Sequence, residues 1–134
     1  MRSLMLTFCL LTATACDEQS ATGPTVTVNE RFTISPGEIA TIRDVGLRVQ
    51  FVEVTGDSRC PADAVCIQGG DAIAHIRVYD GGATTAYELH TGDSSRATVT
   101  HKQLKLSLVE LRPYPFSSRT IAPGEYRATL TVTR

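Results

Sequence analysis

The sequence predicts an all-β protein, an antiparallel β-sandwich or barrel of about seven to nine strands. Apolar and polar residues alternate along most of the chain, which is the period of a strand with one buried face. Turn-forming residues recur about every eight to twelve positions, as in sandwiches and barrels. The best helical candidate, residues 102–111, carries its leucines at alternate positions, so its period also indicates a strand.

Eight segments show this alternation and are predicted to be strands. They cover residues 26–34, 39–42, 47–54, 72–79, 83–90, 97–101, 104–111 and 126–133. The last segment is the most regular, because every second residue is apolar from its first position onward. The residues that share an apolar face of their strand include Val26, Val28, Phe32, Ile34, Leu47, Val49, Phe51, Ala72, Ala74, Ile76, Val78, Leu104, Leu106, Leu108, Tyr126, Ala128, Leu130 and Val132.

Glycine-containing turns separate several of these strands. Asp80-Gly81-Gly82 predicts a hairpin, because glycine tolerates the positive φ that such loops require. Residues 34–39 and 121–126 share the pattern Ile-small-Pro-Gly-Glu-apolar, and Pro-Gly suits the centre of a type II turn. The second copy resembles the Pro-Gly-x-Tyr start of the final strand in immunoglobulin-like extracellular modules. That resemblance implies an immunoglobulin-like sandwich.

The first 15 residues have the layout of a cleaved export signal. Arg2 supplies a positive charge, an apolar run of about eight residues starts at Leu4, and small residues precede Cys16. The run is far shorter than the roughly 20 residues that span a bilayer as a helix. We therefore expect residues 1–15 to be removed and Cys16 to begin the mature protein.

Thr12-Ala13-Thr14-Ala15-Cys16 resembles the lipobox of bacterial lipoproteins, with Ala13 where that family usually has Leu. The resemblance implies that Cys16 is acylated and attaches the protein to a membrane through its acyl chains. Lasting attachment needs more than one chain. Residues 13–15 equally fit the ordinary signal peptidase. In that alternative Cys16 is an unlipidated thiol.

Residues 16–25 are predicted to form the lipidated cysteine and a flexible tether, because they are polar and lack periodicity. Asp17, directly after the cysteine, resembles the inner-membrane retention signal of enterobacterial lipoproteins. We therefore expect the protein in the bacterial cell envelope. The inner membrane is favoured, and the periplasm and outer membrane are the alternatives.

The remaining residues 26–134 have the size of one domain. Apolar residues make up 42% of the chain, which is enough for one core. The formal net charge is −1 and positive charges do not cluster, so nucleic acid is not an expected partner.

The predicted cleavage site separates the cysteines into two groups. Cys9 lies within the signal and Cys16 at its end, which leaves Cys60 and Cys66 as a pair. Export exposes this pair to oxidising conditions in which a disulfide persists. We expect the two to be joined.

Residues 57–71 form a polar loop between two predicted strands. A loop of this length in a compact domain is expected to be functional or restrained. The run Asp-Ser-Arg-Cys-Pro at 57–61, with Cys66 and the Gly-Gly-Asp that follows, resembles a segment of small bacterial secreted and lipoprotein β domains. Those domains usually continue with a Val-Trp-Ala-Gly-like stretch, whereas residues 67–70 lack the aromatic. The resemblance implies the fold and the disulfide, and no activity.

Two interpretations of this loop stay open. In the structural one, the disulfide holds a long crossover in place and covers the end of a sheet. In the binding one, a constrained loop binds a protein or a small-molecule ligand with little loss of entropy. The residues that such a loop would display are Arg59, Pro61, Asp63 and Gln68.

Metal and catalytic chemistry have little support in the sequence. Asp57, Asp63 and Asp71 offer the carboxylate oxygens that calcium favours, but their spacing matches no EF-hand. The five-residue spacer of the cysteine pair differs from Cys-x-x-Cys, and no nucleophile elbow, phosphate loop or dinucleotide fingerprint is present. We expect no enzyme, cofactor or metal site. The histidines are far apart in the sequence, and we expect all of them on the surfaces of strands. They are His75, His90 and His101.

Residues 112–119 contain two prolines and two aromatic residues. Tyr114 and Phe116 are predicted to cap one end of the core, while the prolines stop the sheet from continuing. The alternative is that one of the aromatics anchors a partner.

The sequence thus predicts a lipid-anchored protein of the bacterial cell envelope with a binding or structural accessory role. A secreted inhibitor or ligand-binding module without a lipid anchor is the alternative from another class. A metal-dependent enzyme is a more distant one.

Overall fold

The computed structural model describes residues 22–134, so the predicted signal segment and Cys16 lie outside the described residues. Nine strands and one 3-10 turn follow one another along this part of the chain. They are β1 Thr22–Val26, β2 Arg31–Ile34, β3 Ile39–Ile42, β4 Leu47–Thr55, β5 Ile73–Asp80, β6 Ala83–His90, β7 Thr98–His101, β8 Leu104–Arg112, the 3-10 turn Pro123–Glu125, and β9 Arg127–Thr133.

The strands form two sheets packed face to face. One sheet has the order β1-β3-β4-β5-β6 and the other the order β2-β9-β8-β7. All pairs are antiparallel except β1 with β3, which run parallel. Both sheets are open, so the predicted β-sandwich is confirmed and the barrel is not formed.

The core lies between the two sheets and is built from the alternating residues. Phe51, Ile76 and Leu130 are among its largest fully buried side chains. The inward faces predicted for β4, β5 and β9 are therefore confirmed. Within residues 22–134, no helix has the length and apolar character needed to cross a membrane.

The segment predicted as one strand over 26–34 is two strands in different sheets. β1 pairs with β3, whereas β2 pairs with β9. Between them Asn29 adopts a φ of 69°, and the Glu30 carboxylate accepts a hydrogen bond from the Thr27 N–H at 2.7 Å. The prediction was wrong because the alternation continues through the turn, where Val28 packs against the core.

The predicted tether overlaps β1, which begins at Thr22 instead of at residue 26. Gly23 allows this pairing, because a Cβ there would lie 2.9 Å from the Ile39 carbonyl oxygen. Pro24 is tolerated because β1 is an edge strand. Residues 22–25 are thus corrected from tether to strand.

The structure confirms two of the predicted glycine-containing turns and corrects the third. Asp80 pairs with Ala83 and Gly81 has a φ of 61°, so the hairpin is confirmed. Gly37 has a φ of 88°, as a type II turn requires at that position. Gly124 instead lies in the 3-10 turn, so the second Pro-Gly is not a type II turn.

The two Pro-Gly-Glu repeats nevertheless share one contact. Glu38 accepts a hydrogen bond from the Ser35 N–H at 2.6 Å. Glu125 accepts one from the Ala122 N–H at 2.7 Å. Each glutamate thereby holds the start of its own turn, even though the two glycines differ in conformation.

Candidate functional site

The loop of residues 57–71, called here the disulfide loop, is closed at its base. The Ser58 N–H donates to the Asp71 carbonyl at 2.7 Å, and the Asp71 N–H donates to Ser58 Oγ at 3.1 Å. Gly70 passes so close that a Cβ on it would lie 1.5 Å from the Ser58 carbonyl oxygen. Only glycine fits there, and the chain leaves β4 and enters β5 through one narrow neck.

Cys60 and Cys66 form a disulfide, as predicted. Inside this ring the Ala64 N–H donates to the Pro61 carbonyl at 3.1 Å. The outer part of the loop is therefore closed twice, once by the sulfur bridge and once by a turn.

Arg59 points inward instead of standing out from the loop, and its side chain is only 9% exposed. Its Nη1 donates to the Leu111 carbonyl at 2.7 Å and its Nη2 to the Pro113 carbonyl at 3.0 Å. Nε and Nη2 also donate to the Asp57 carboxylate. Arg59 therefore holds the disulfide loop against the end of β8.

Tyr126 completes this buried polar group, since its hydroxyl donates to Asp57 Oδ2 at 2.9 Å. Burial opposes ionisation of Asp57, but hydrogen bonds from Arg59 and Tyr126 outweigh it and lower the pKa of Asp57. Burial and the hydrogen bond to the Asp57 carboxylate raise the pKa of Tyr126 to about 12. At neutral pH the carboxylate is ionised and the phenol keeps its proton.

The tip of the disulfide loop rests on residues 112–119, called here the proline segment. The Ala62 N–H donates to the Pro115 carbonyl at 2.8 Å. Asp63 Oδ1 accepts from the Ser117 N–H at 2.9 Å and from Ser117 Oγ at 3.1 Å. The proline segment leaves β8 through a cis Arg112-Pro113 bond. The two segments form one continuous surface, called here the loop end.

Large apolar side chains are exposed on this loop end. Val65 and Ile67, on either side of Cys66, have relative exposures of 103% and 104%. Tyr114 and Phe116 are 49% and 51% exposed. The prediction that they cap one end of the core is therefore wrong. Exposed apolar patches are typical of interaction sites.

Val65 and Ile67 were not among the loop residues that the sequence predicted to be displayed. The signal that could have found them is the presence of two large aliphatic residues in an otherwise polar loop. Of the four residues predicted to be displayed, Asp63 and Gln68 are exposed, Pro61 is partly buried and Arg59 faces inward. A role for these four in binding stays a prediction.

Two of the three histidines are buried, which corrects their expected surface position. His90 is 3% exposed and its Nδ1 lies 2.5 Å from Asp71 Oδ2. His101 is 7% exposed, with Nε2 at 3.0 Å from Asp80 Oδ2. His75 is partly exposed, and its Nε2 lies 2.7 Å from Thr55 Oγ1.

The contact between Asp71 and His90 follows from the hairpin register. Because Asp80 pairs with Ala83, Ile73 pairs with His90, and Asp71 falls beside the end of β6. Burial opposes ionisation of Asp71, but hydrogen bonds from His90 and from the Gly92 N–H lower its pKa. An ionised Asp71 can only accept, so His90 Nδ1 carries a hydrogen and donates it to Asp71.

The three aspartates considered for calcium do not come together. Asp57 faces Arg59 and Tyr126, Asp63 faces Ser117, and Asp71 faces His90. Over residues 22–134, no group of three or more histidine, cysteine, aspartate or glutamate side chains is placed to hold a metal ion.

The fold and this loop end define a small β-sandwich in which the loop between the adjacent strands β4 and β5 is closed by a disulfide and rests on a second loop. Comparisons of the chain with protein-family models, with curated proteins and with solved structures gave no match.

Proposed function

We propose that this protein is attached to the bacterial cell envelope through lipid on Cys16 and acts by binding a partner protein at its loop end. The lipobox-like residues 12–16 support the anchor, and Asp17 supports the inner membrane. The geometry of the loop end supports the binding role.

The exposure of Val65 and Ile67 carries the binding part of the proposal. A loop that only covers a sheet end accounts for the disulfide and for Arg59, but it gives no reason for two aliphatic side chains in full contact with water. Burial of apolar area against a partner stabilises a complex by about 25 cal/mol per Å² before its entropic costs. These two side chains are therefore the proposed contact residues.

The restraints on the loop support the same role. The disulfide, the Arg59 contacts and the Asp63–Ser117 contacts already fix its shape. A loop that is ordered before binding loses less entropy when its partner arrives. The half-exposed rings of Tyr114 and Phe116 extend the apolar surface beside it.

The anchor is tested by the mass of the mature protein from a bacterial host that processes lipoproteins. We expect acyl chains on Cys16 and their loss in Cys16→Ser, with Cys9→Ser as the matched control that keeps them. A mature chain that begins at Cys16 without acyl chains would instead support the secreted ligand-binding module.

The binding role is tested by site-specific photo-crosslinking in intact cells. A photoreactive amino acid at Val65 is expected to give one discrete protein adduct, and the same group at exposed Gln103, at the other end of β8, none. Replacement of Ile67 by Ser in the Val65 probe should reduce the adduct. Adducts with lipid alone, or equal adducts from both positions, would contradict a protein partner.

A further inference from the structure

A cleft of about 320 Å³ opens beside the disulfide loop, between the end of β6 and the last part of β8. Its volume lies at the lower end of the range of about 300–1,000 Å³ found for ligand sites. His90 and Thr91 line one side, and Ala97, just before β7, lines another. Four consecutive residues of β8, residues 108–111, line the facing wall.

The edge of β8 is open along this wall. β7 pairs with β8 only as far as Leu108, whose N–H donates to the Ala97 carbonyl at 2.8 Å. The opposite edge of β8 continues to pair with β9 as far as Arg112. Between Leu108 and Glu110 the β8–β9 pairing shifts register at a β-bulge, where regular alternation of side chains is interrupted.

Beyond Leu108, therefore, β8 has a neighbouring strand on one edge only, as far as residues 22–134 show. Arg59 reaches this edge at its far end, where Nη1 donates to the Leu111 carbonyl at 2.7 Å. Between Ala97 and Arg59, Val109 and Glu110 line the cleft. This gap has the position that a continuation of β7 would take.

His90 brings a second, independent feature to the cleft. Its Nδ1 is hydrogen-bonded to Asp71, but its Nε2 is buried and has no hydrogen-bonding partner among the described residues. Buried polar atoms are nearly always hydrogen-bonded in folded proteins. A nitrogen held in place by Asp71 and left unpaired beside a cleft is suited to bind a ligand group.

We propose that the cleft binds a short extended peptide segment that continues the line of β7 along β8. Its main chain pairs with residues 109–111, and one of its polar groups contacts His90 Nε2. Addition of a strand to an open sheet edge is a general mode of peptide recognition. This inference rests on the proposed function and specifies the partner as an extended segment of a protein.

The side chains around the cleft indicate which peptide fits. The apolar part of the lining includes Leu108, Val109, Leu111 and Tyr114, and the polar part consists of Arg59, His90, Thr91 and Glu110. Strand pairing favours β-branched residues. A peptide of valine and threonine therefore matches both the wall and the required conformation.

The test is a titration of the ¹⁵N-labelled full chain with acetyl-Thr-Val-Thr-N-methylamide, followed by NMR. We expect saturable shifts of the amides of Ala97 and residues 108–111. The same peptide with a methyl group on its valine nitrogen is expected to bind at least about tenfold more weakly, because it has lost a main-chain donor. Equal binding of both peptides, shifts elsewhere, or no saturable shift would overturn the proposal.

Variants of the cleft provide a second measurement. His90→Asn keeps a side-chain donor for Asp71 but lacks the outer ring nitrogen, and should weaken binding about tenfold. Ala97→Phe should abolish binding by filling the cleft. Thr84→Phe, exposed near the opposite end of β6, is the matched control and should bind as the wild type does. Unchanged binding by Ala97→Phe would contradict the site.

The outcomes separate this inference from the proposed function. Failure to find acyl chains on Cys16 or an adduct at Val65 leaves the titration valid. Failure of the peptide to bind in the cleft leaves the anchor and the loop contact as they stand.

Discussion

Arg59 and Asp57 form a two-point ion pair at the base of the disulfide loop, with Nε at 2.9 Å from Oδ1 and Nη2 at 2.7 Å from Oδ2. Both side chains are nearly buried, at 9% and 13% exposure. The same guanidinium donates to two main-chain carbonyls at the end of β8. The Arg59 side chain therefore joins the disulfide loop to the sheet that carries the proline segment. It fixes the position of these two parts of the loop end relative to each other.

Replacement of Arg59 by methionine, which keeps much of the volume, should destabilise the protein by about 3 kcal/mol. The loss arises because Asp57 stays buried while two carbonyls and a carboxylate lose their donor. Urea unfolding of the purified protein measures it. Arg31→Met is the control, since Arg31 is exposed on β2. Equal stability of the two variants would contradict the role given to Arg59.

Gly70→Ala should destabilise the protein by about 3 kcal/mol, because its Cβ would overlap the Ser58 carbonyl and force the neck of the loop apart. Gly69→Ala is the matched control in the adjacent position, where a Cβ meets nothing within 4 Å. Thermal and urea unfolding of the two variants provide the comparison. A Gly70 variant as stable as the Gly69 variant would show that the neck is not closed as described.

Simultaneous replacement of Cys60 and Cys66 by serine should lower the free energy of unfolding by about 2 kcal/mol, which is the chain-entropy value for a loop of this length. The fold should persist, because Arg59 and Asp63 still hold the loop. Unfolding with and without a reductant gives the measurement. The reductant should lower the stability of the wild type by a similar amount and leave the double variant unchanged. A reductant effect on the variant would point to another cause.

Tyr126 should make stability depend on alkaline pH. Its pKa is raised from 10.0 to about 12 in the folded protein, so the unfolded chain loses this proton first as the pH rises. The resulting contribution is fully present below about pH 10 and is lost between about pH 10 and 12. The stability difference between the wild type and Tyr126→Phe should therefore shrink over this range. A difference that stays constant in urea unfolding up to pH 12 would contradict the Asp57 contact.

Much of the fold follows from local patterns. Inward faces such as those of Phe51 and Leu130 were predicted by alternation alone, because a strand exposes successive side chains to opposite faces wherever it lies. The Gly81-Gly82 hairpin was predicted from the positive φ that its loop requires. The pairing register of this hairpin places His90 beside Asp71. The disulfide was predicted by counting the cysteines that remain after the predicted cleavage.

Other features depend on which strands become neighbours, and periodicity carries no such information. The alternation around Val28 is the same whether the chain stays in one sheet or crosses to the other, so only the packed structure separates β1 from β2. Arg59 and Leu111 are 52 residues apart in the chain, and no local pattern predicts that they meet.

The amino-acid sequence alone determined the strand pattern, the cysteine pair and the expectation of export, because these depend on near neighbours and on composition. Tertiary structure decided which side chains of the disulfide loop face water. Arg59 points inward because β8 ends beneath it. Val65 and Ile67 are exposed because the loop is held at Gly70 and at Ser117, and neither contact brings another segment over them. The open edge of β8 and the buried nitrogen of His90 likewise exist only once the two sheets are in contact.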